Sequence, residues 1–332
     1  MRNYYVGIDT SKKTIDASIV SSKDQKSFHD SFLNKPLGFK KLLVWSKQKS
    51  KDETVFFCIE NTGHYSRNLC TFLEKNKQQF SIINAAEIKL SSGIKREKSD
   101  KKDSELIAIY GLKFPERLQT ETMLNDQLLG LQLLLSQRKL LQNKELDFQR
   151  NIKMMKHCLS NDTVAKSIVR KNSSLKKYLR KNREDVELKI DQYVASNPLL
   201  KTNYDLLTSI IGIGQIIALN TIVQTHNFTM ITEARKFSCY CGVAPFKNES
   251  GTSIRKGTRI SFYGHKGLKR ILNFGAMNAV RIDPQLKEYY QRKVEEGKNK
   301  MSVLNAVRNK LIHRMFAVIN RGTPYVVQRT FN

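Results

Sequence analysis

The chain has 332 residues, enough for two or three domains, and its 40% hydrophobic content excludes wholesale disorder. Lys and Arg number 58 against 30 Asp and Glu. The resulting net charge of +28 is spread along most of the chain and points to a polyanion, nucleic acid first. No apolar run is long enough to span a bilayer, so no membrane partner is expected. With a strand-like start at Tyr4, no signal peptide is expected. Five cysteines, an odd number in a long chain, form no disulfide framework, and a reducing cytoplasm is the expected setting. Cys239 and Cys241 lack a second pair at zinc spacing and read as small apolar residues.

Residues 4–9 and 14–20 read as two β-strands, with a third short strand near 27–32. Pro36 opens a helix to about residue 49. Residues 54–60 form a continuous apolar run, as in a buried strand. Asn61-Thr62-Gly63 turns the chain into a helix near 64–75; a strand at 80–83 and a helix from Ala85 follow. Strands alternating with helices predict an α/β domain with a mixed sheet. Residues 95–102 read as a charged connection into a helix over about 100–112.

From 121 to 194 the pattern is helical, with Leu128, Leu131 and Leu135 on one side and many cations on the other. Two or three long helices fit, as in a coiled-coil hairpin. The basic stretch 166–183 is either a solvated face or a phosphate contact. Gly212-Ile213-Gly214 resembles a helix-hairpin-helix turn, whose backbone N–H groups would meet a phosphate; a packing corner is the equal alternative. Residues 242–272 read as a glycine-rich cationic loop. Gly251, Gly257, Gly264 and Gly267 free the backbone there, and Arg255, Lys256, Arg259, Lys266, Lys269 and Arg270 surround it with charge. Ser250 in this loop is a nucleophile toward phosphate or merely a hydrogen-bond donor to it. Three helices at about 268–280, 285–294 and 301–319 complete the chain.

Asp9 ends the first strand and Glu60 ends the buried run, both where apolar residues are expected. Asp100 and Asp103 are one helical turn apart and share a face. Each has a plain structural reading, as a turn residue or a first-turn helix charge. Together they make an oxygen-rich site for hard cations such as Mg²⁺ or Mn²⁺. Two such ions ~4 Å apart suit in-line phosphoryl displacement.

With these residues in hand, the chain resembles the insertion-sequence one-ten / eleven-eleven family of transposases, the bridge-RNA-guided DEDD recombinases. The resemblance rests on Gly7-Ile8-Asp9-Thr10-Ser11-Lys12, on Glu60-Asn61-Thr62-Gly63-His64-Tyr65, and on the segment from Asp100 to Ala108. It rests also on Gly242-Val243-Ala244-Pro245, Ser250-Gly251, Gly264 and Leu268-Lys269-Arg270, in order and at matching spacing. Ile211, Cys241 and Phe262 depart from residues common in the family. The resemblance implies three domains. The first, over 1–117, is a RuvC-like RNase H fold with Asp9, Glu60, Asp100 and Asp103 as metal ligands. A helical coiled-coil assembly region follows over 118–200. A mostly helical transposase domain over 201–332 carries Ser250 as the nucleophile. It further implies target and donor DNA, a structured guide (bridge) RNA and a homo-tetramer, with a site composed from separate parts of the chain. Lys12, Gly212, Gly214, Arg255, Lys256, Arg259, Lys266, Lys269 and Arg270 are the expected nucleic-acid contacts.

Overall fold

The computed structural model describes residues 3–23, 26–91, 99–159, 162–250, 254–260 and 264–327, with backbone alone at 247–250 and 254–259. The chain forms two compact units, residues 1–123 and 124–332.

The first unit is a five-stranded sheet with helices. Its strands are β1 (Tyr4–Thr10), β2 (Thr14–Ser21), β3 (Ser27–Leu33), β4 (Val55–Glu60) and β5 (Gln79–Ile83), in the order β3-β2-β1-β4-β5. β1, β2 and β3 pair antiparallel; β1, β4 and β5 pair parallel. This mixed sheet is compatible with the expected RNase H-like domain. Alternation sorts its side chains. Val6, Ile8, Phe57 and Ile59 face one core, shared with α1 (Pro36–Ser50) and α2 (Arg67–Lys75). Tyr5, Phe56 and Cys58 face the other, shared with α3 (Ala85–Ser91) and α4 (Asp100–Lys113). The second helix begins at Arg67 rather than near His64, because residues 63–66 form turns. There Asn34 Nδ2 donates to the carbonyls of Ser11 (2.8 Å) and Tyr65 (3.0 Å), tying this segment to the β1–β2 turn.

Gly7 lets α4 lie directly on β1. A Cβ there would meet the backbone N of Ala108 at 2.1 Å and the backbone O of Ser104 at 2.2 Å. The buried Ser18 and Ser104 hydroxyls, 2.8 Å apart, pin the same helix to β2.

In the second unit, α5 (Asp126–Cys158) and α6 (Thr163–Ala195) form a long antiparallel hairpin. Arg138–Glu187 (2.7 Å), Arg183–Glu145 (3.1 Å) and Asn172–Asn151 (2.8 Å) are its rungs. Leu128, Leu131, Leu135, Ile190 and Val194 enter a core with α7 (Pro198–Thr208), α8 (Gln215–Gln224), α9 (Ala234–Tyr240), α10 (Lys266–Ile282), α11 (Pro284–Glu295) and α12 (Lys300–Arg321). The stretch around Ser250, expected as a loop, is instead an antiparallel ribbon of β6 (Pro245–Ser250) and β7 (Ile254–Ile260) with a register shift between Lys247 and Glu249. Isoleucine and threonine at Ile254, Thr258 and Ile260 favour extended backbone, and the glycines hid that signal. No helix among the described residues is long and apolar enough to cross a membrane.

Candidate active site

The register of the sheet assembles the acids. Ile8 pairs with Ile59 in the parallel β1–β4 ladder, so Asp9 and Glu60 are the next residues on neighbouring strands. Both follow the alternation of Tyr5, Gly7, Phe56 and Cys58 and so lie on the face covered by α4. That helix runs opposite to β1. Gly111 packs on Tyr5, whereas Ser104 and Ala108 pack on Gly7. Its first turn, bearing Asp100 and Asp103, therefore extends toward Asp9. Ser99 caps this turn, its hydroxyl accepting from the Lys102 N–H at 3.3 Å. The Thr10 and Thr62 hydroxyls contact each other and join the ends of the two strands.

Electrostatics report the same convergence. Burial pushes the Asp9 carboxyl up from 3.8 to about 6, and the charges of Glu60, Asp103, Asp100 and Asp16 add to the rise. Asp16 is the acid that sequence reading passes over. It pairs with Asp9 across the β1–β2 ladder, and its only sequence signal is a polar alternation, Asp16 and Ser18, inside an apolar strand. Among the described residues no three His, Cys, Asp or Glu side chains close around one point. The carboxylates are coupled through charge, not shared contact. An all-oxygen set whose half-buried Asp9 resists ionisation fits a hard divalent cation, which would relieve the repulsion. Asp9, Glu60, Asp100 and Asp103 are the residues that would hold it.

Lys12 is exposed in the β1–β2 turn. In the second unit, Ser250 is the last residue of β6 and pairs in register with Ile254. The side chains of Ser250, Arg255, Lys256 and Arg259 lie outside the described residues, as do Gly251 and Phe262. The root of the ribbon is tight. A Cβ on Gly264 would lie 2.2 Å from the Gly242 Cα, and the His265 N–H donates to the Tyr240 carbonyl at 2.8 Å. His265 Nδ1 then accepts from the Leu268 N–H at 3.0 Å, capping α10, and burial, followed by the Lys139 charge, lowers the His265 pKa. The first turns of α10 carry Lys266, Lys269 and Arg270 and no acid, the charge pattern of a helix start that receives an anion. Gly212 has φ +94°, and a Cβ on it would meet the Gly275 carbonyl at 2.7 Å, so this glycine serves the packing of the turn on α10. Gly214 begins α8 and faces open space. Cys241 is buried, as an apolar residue would be.

Known proteins match over both units. Residues 6–159 match the DEDD transposases of the IS110 family, and residues 204–291 match the transposase family IS116/IS110/IS902. The chain belongs to the IS110 family of transposases. This IS110-family transposase is 28% identical to the pilin gene-inverting proteins of Moraxella bovis and of Moraxella lacunata, each over 98% of both chains. It is 29% identical to the insertion element IS110 uncharacterized 43.6 kDa protein of Streptomyces coelicolor, over 44% of this chain and 35% of that one. It is accordingly a DNA transposase/recombinase, with DNA as partner, and its match to the DEDD transposases suggests divalent-metal use.

Proposed function

We propose that this transposase is an RNA-guided recombinase in which Ser250 attacks a DNA phosphate and Asp9, Glu60, Asp100 and Asp103 hold the Mg²⁺ or Mn²⁺ that assists cleavage. The observation that carries the metal reading is that Asp9 and Glu60 end neighbouring strands on the face covered by α4, with burial and the charges of Glu60, Asp103, Asp100 and Asp16 raising the Asp9 pKa to about 6. When bound, the cation supplies charge to the phosphate oxygens and to the leaving oxygen. The chain's own part is covalent. The Ser250 Oγ forms a bond to phosphorus, the bond from phosphorus to a deoxyribose oxygen breaks, and the hydroxyl proton ends on the leaving oxygen. One phosphodiester replaces another, so the strand can be exchanged and rejoined without ATP. The relatives named for inverting a pilin gene favour such conservation, since inversion requires each cut end to be rejoined.

In this reading a structured guide RNA pairs with target and donor DNA, while the protein grips backbones through its +28 charge. Leu133, Leu140, Leu146 and Met154 on α5 and Leu175, Tyr178 and Leu188 on α6 are exposed apolar side chains suited to assembly of subunits into a tetramer.

The test is denaturing electrophoresis of labelled DNA with protein, guide RNA and Mg²⁺. Wild type gives a protein–DNA adduct that maps to Ser250, and Ser250→Ala gives none while still binding RNA and DNA. An adduct in the alanine variant, or one mapping to Ser253 or Ser261, refutes the nucleophile. Cleavage by wild type without an adduct replaces it by attack of water.

A further inference from the structure

Arg308 on α12 is 6% exposed, and its Nε meets no acceptor. Among the described residues it has no carboxylate partner. Three half-buried arginines of the same unit behave differently. Arg138 pairs with Glu187 at 2.7 Å, Arg183 with Glu145 and Glu187, and Arg314 with the fully buried Asp283 at 2.5 Å. Leaving a guanidinium buried and unpaired is costly, so an unpaired one marks a place where an anion is to come.

The helices around it also carry buried polar groups, which are acceptors without a donor and add no anion-binding N–H. Asn305 and Asn309 stand at helical spacing on α12, Asn273 stands on the contacting α10, and each has an orphaned buried Oδ1. Asn305 spends its Nδ2 on the Val243 carbonyl at 2.8 Å, two residues before β6 begins, so this part of α12 supports the foot of the serine ribbon. Lys269 on α10 adds a second cation. α10 packs against α12, and burial, then the Arg308 charge, lowers the Lys269 pKa. Two cations on packed helices, with no ion-pair partner among the described residues, suit an oxyanion.

We propose that Arg308 and Lys269 form a phosphodiester-binding site at the foot of the ribbon that carries Ser250. The ligand is a backbone phosphate of the nucleic acid on which the transposase acts. The proposal rests on that nucleic-acid reading but not on the chemistry of Ser250.

The test uses the full-length protein, with Arg308→Met and Lys269→Gln as variants. Without nucleic acid, Arg308→Met melts no lower than wild type, because a similar apolar stem replaces an unpaired buried charge. Inorganic phosphate, compared with chloride at equal ionic strength, raises the melting temperature of wild type and of Ser250→Ala but not of Arg308→Met. Affinity for a DNA duplex or for an RNA stem falls about 10-fold in either variant, and the log–log salt slope shrinks by about one. Loss confined to DNA assigns the site to the cleaved strand, and loss confined to RNA assigns it to the guide. Unchanged salt slopes in both variants, or a phosphate effect surviving in Arg308→Met, overturn the site. If Arg308→Met fails to fold, an unchanged slope in Lys269→Gln alone overturns it. Missing adduct with an intact phosphate effect faults the serine reading instead.

Discussion

Replacing Asp9 by Asn separates the electrostatics of the acidic site from its chemistry. In the folded protein Asp9 titrates near 6 instead of 3.8, through burial and the charges of Glu60, Asp103, Asp100 and Asp16. Ionising it therefore opposes folding. The stability is fully present below pH ~4 and is lost as pH rises through about 6. At 1.36 kcal/mol per pH unit the rise corresponds to roughly 3 kcal/mol. Asp9 is only half-buried, so solvent screening reduces this to about 1–2 kcal/mol. Asn keeps the shape and never ionises. In EDTA at pH 8, Asp9→Asn should therefore melt above wild type. For a unit the size of residues 1–123 the increase is about 3–10 °C, shrinking toward zero near pH 4. Adding Mg²⁺ should reverse the order, because the full carboxylate set holds the cation better. The assay is thermal melting followed by circular dichroism from pH 4 to 8, with and without Mg²⁺. A variant that melts lower than wild type at pH 8, or a difference that ignores pH, refutes the argument.

Gly7→Ala should cost about 3 kcal/mol or more and abolish strand cleavage, because both atoms in the way are backbone of α4, the helix that carries Asp100 and Asp103; melting and cleavage assays check it, and a wild-type melting temperature would contradict the packing. Iodoacetamide on the native protein should label exposed Cys158 and spare Cys58, Cys70 and Cys241, since burial raises the Cys70 thiol to about 12 and Cys241 still further; peptide mapping reads the outcome. Nucleic-acid affinity should drop about 10³-fold or more between 50 and 200 mM salt if at least six phosphates are neutralised. A flat titration would show that the basic faces are only solvated.

The sequence by itself determined the alternation of strands and helices in the first unit, because period-two apolar runs and the Pro36 start are local signals. It also determined that Asp9, Glu60, Asp100 and Asp103 are acids at the ends of elements, and that the chain needs a polyanion, because charge is a sum over residues. It did not reveal the ribbon holding Ser250, where glycines and cations masked two strands that only pairing with each other stabilises. Nor did it reveal Asp16, which sits opposite Asp9 in a ladder, or decide between the phosphate and packing readings of Gly212. Arg308 looks in sequence like any other cation of a basic helix. Only the tertiary structure buries it without a carboxylate among the described residues, because burial and pairing depend on which helices meet, and no local pattern encodes that.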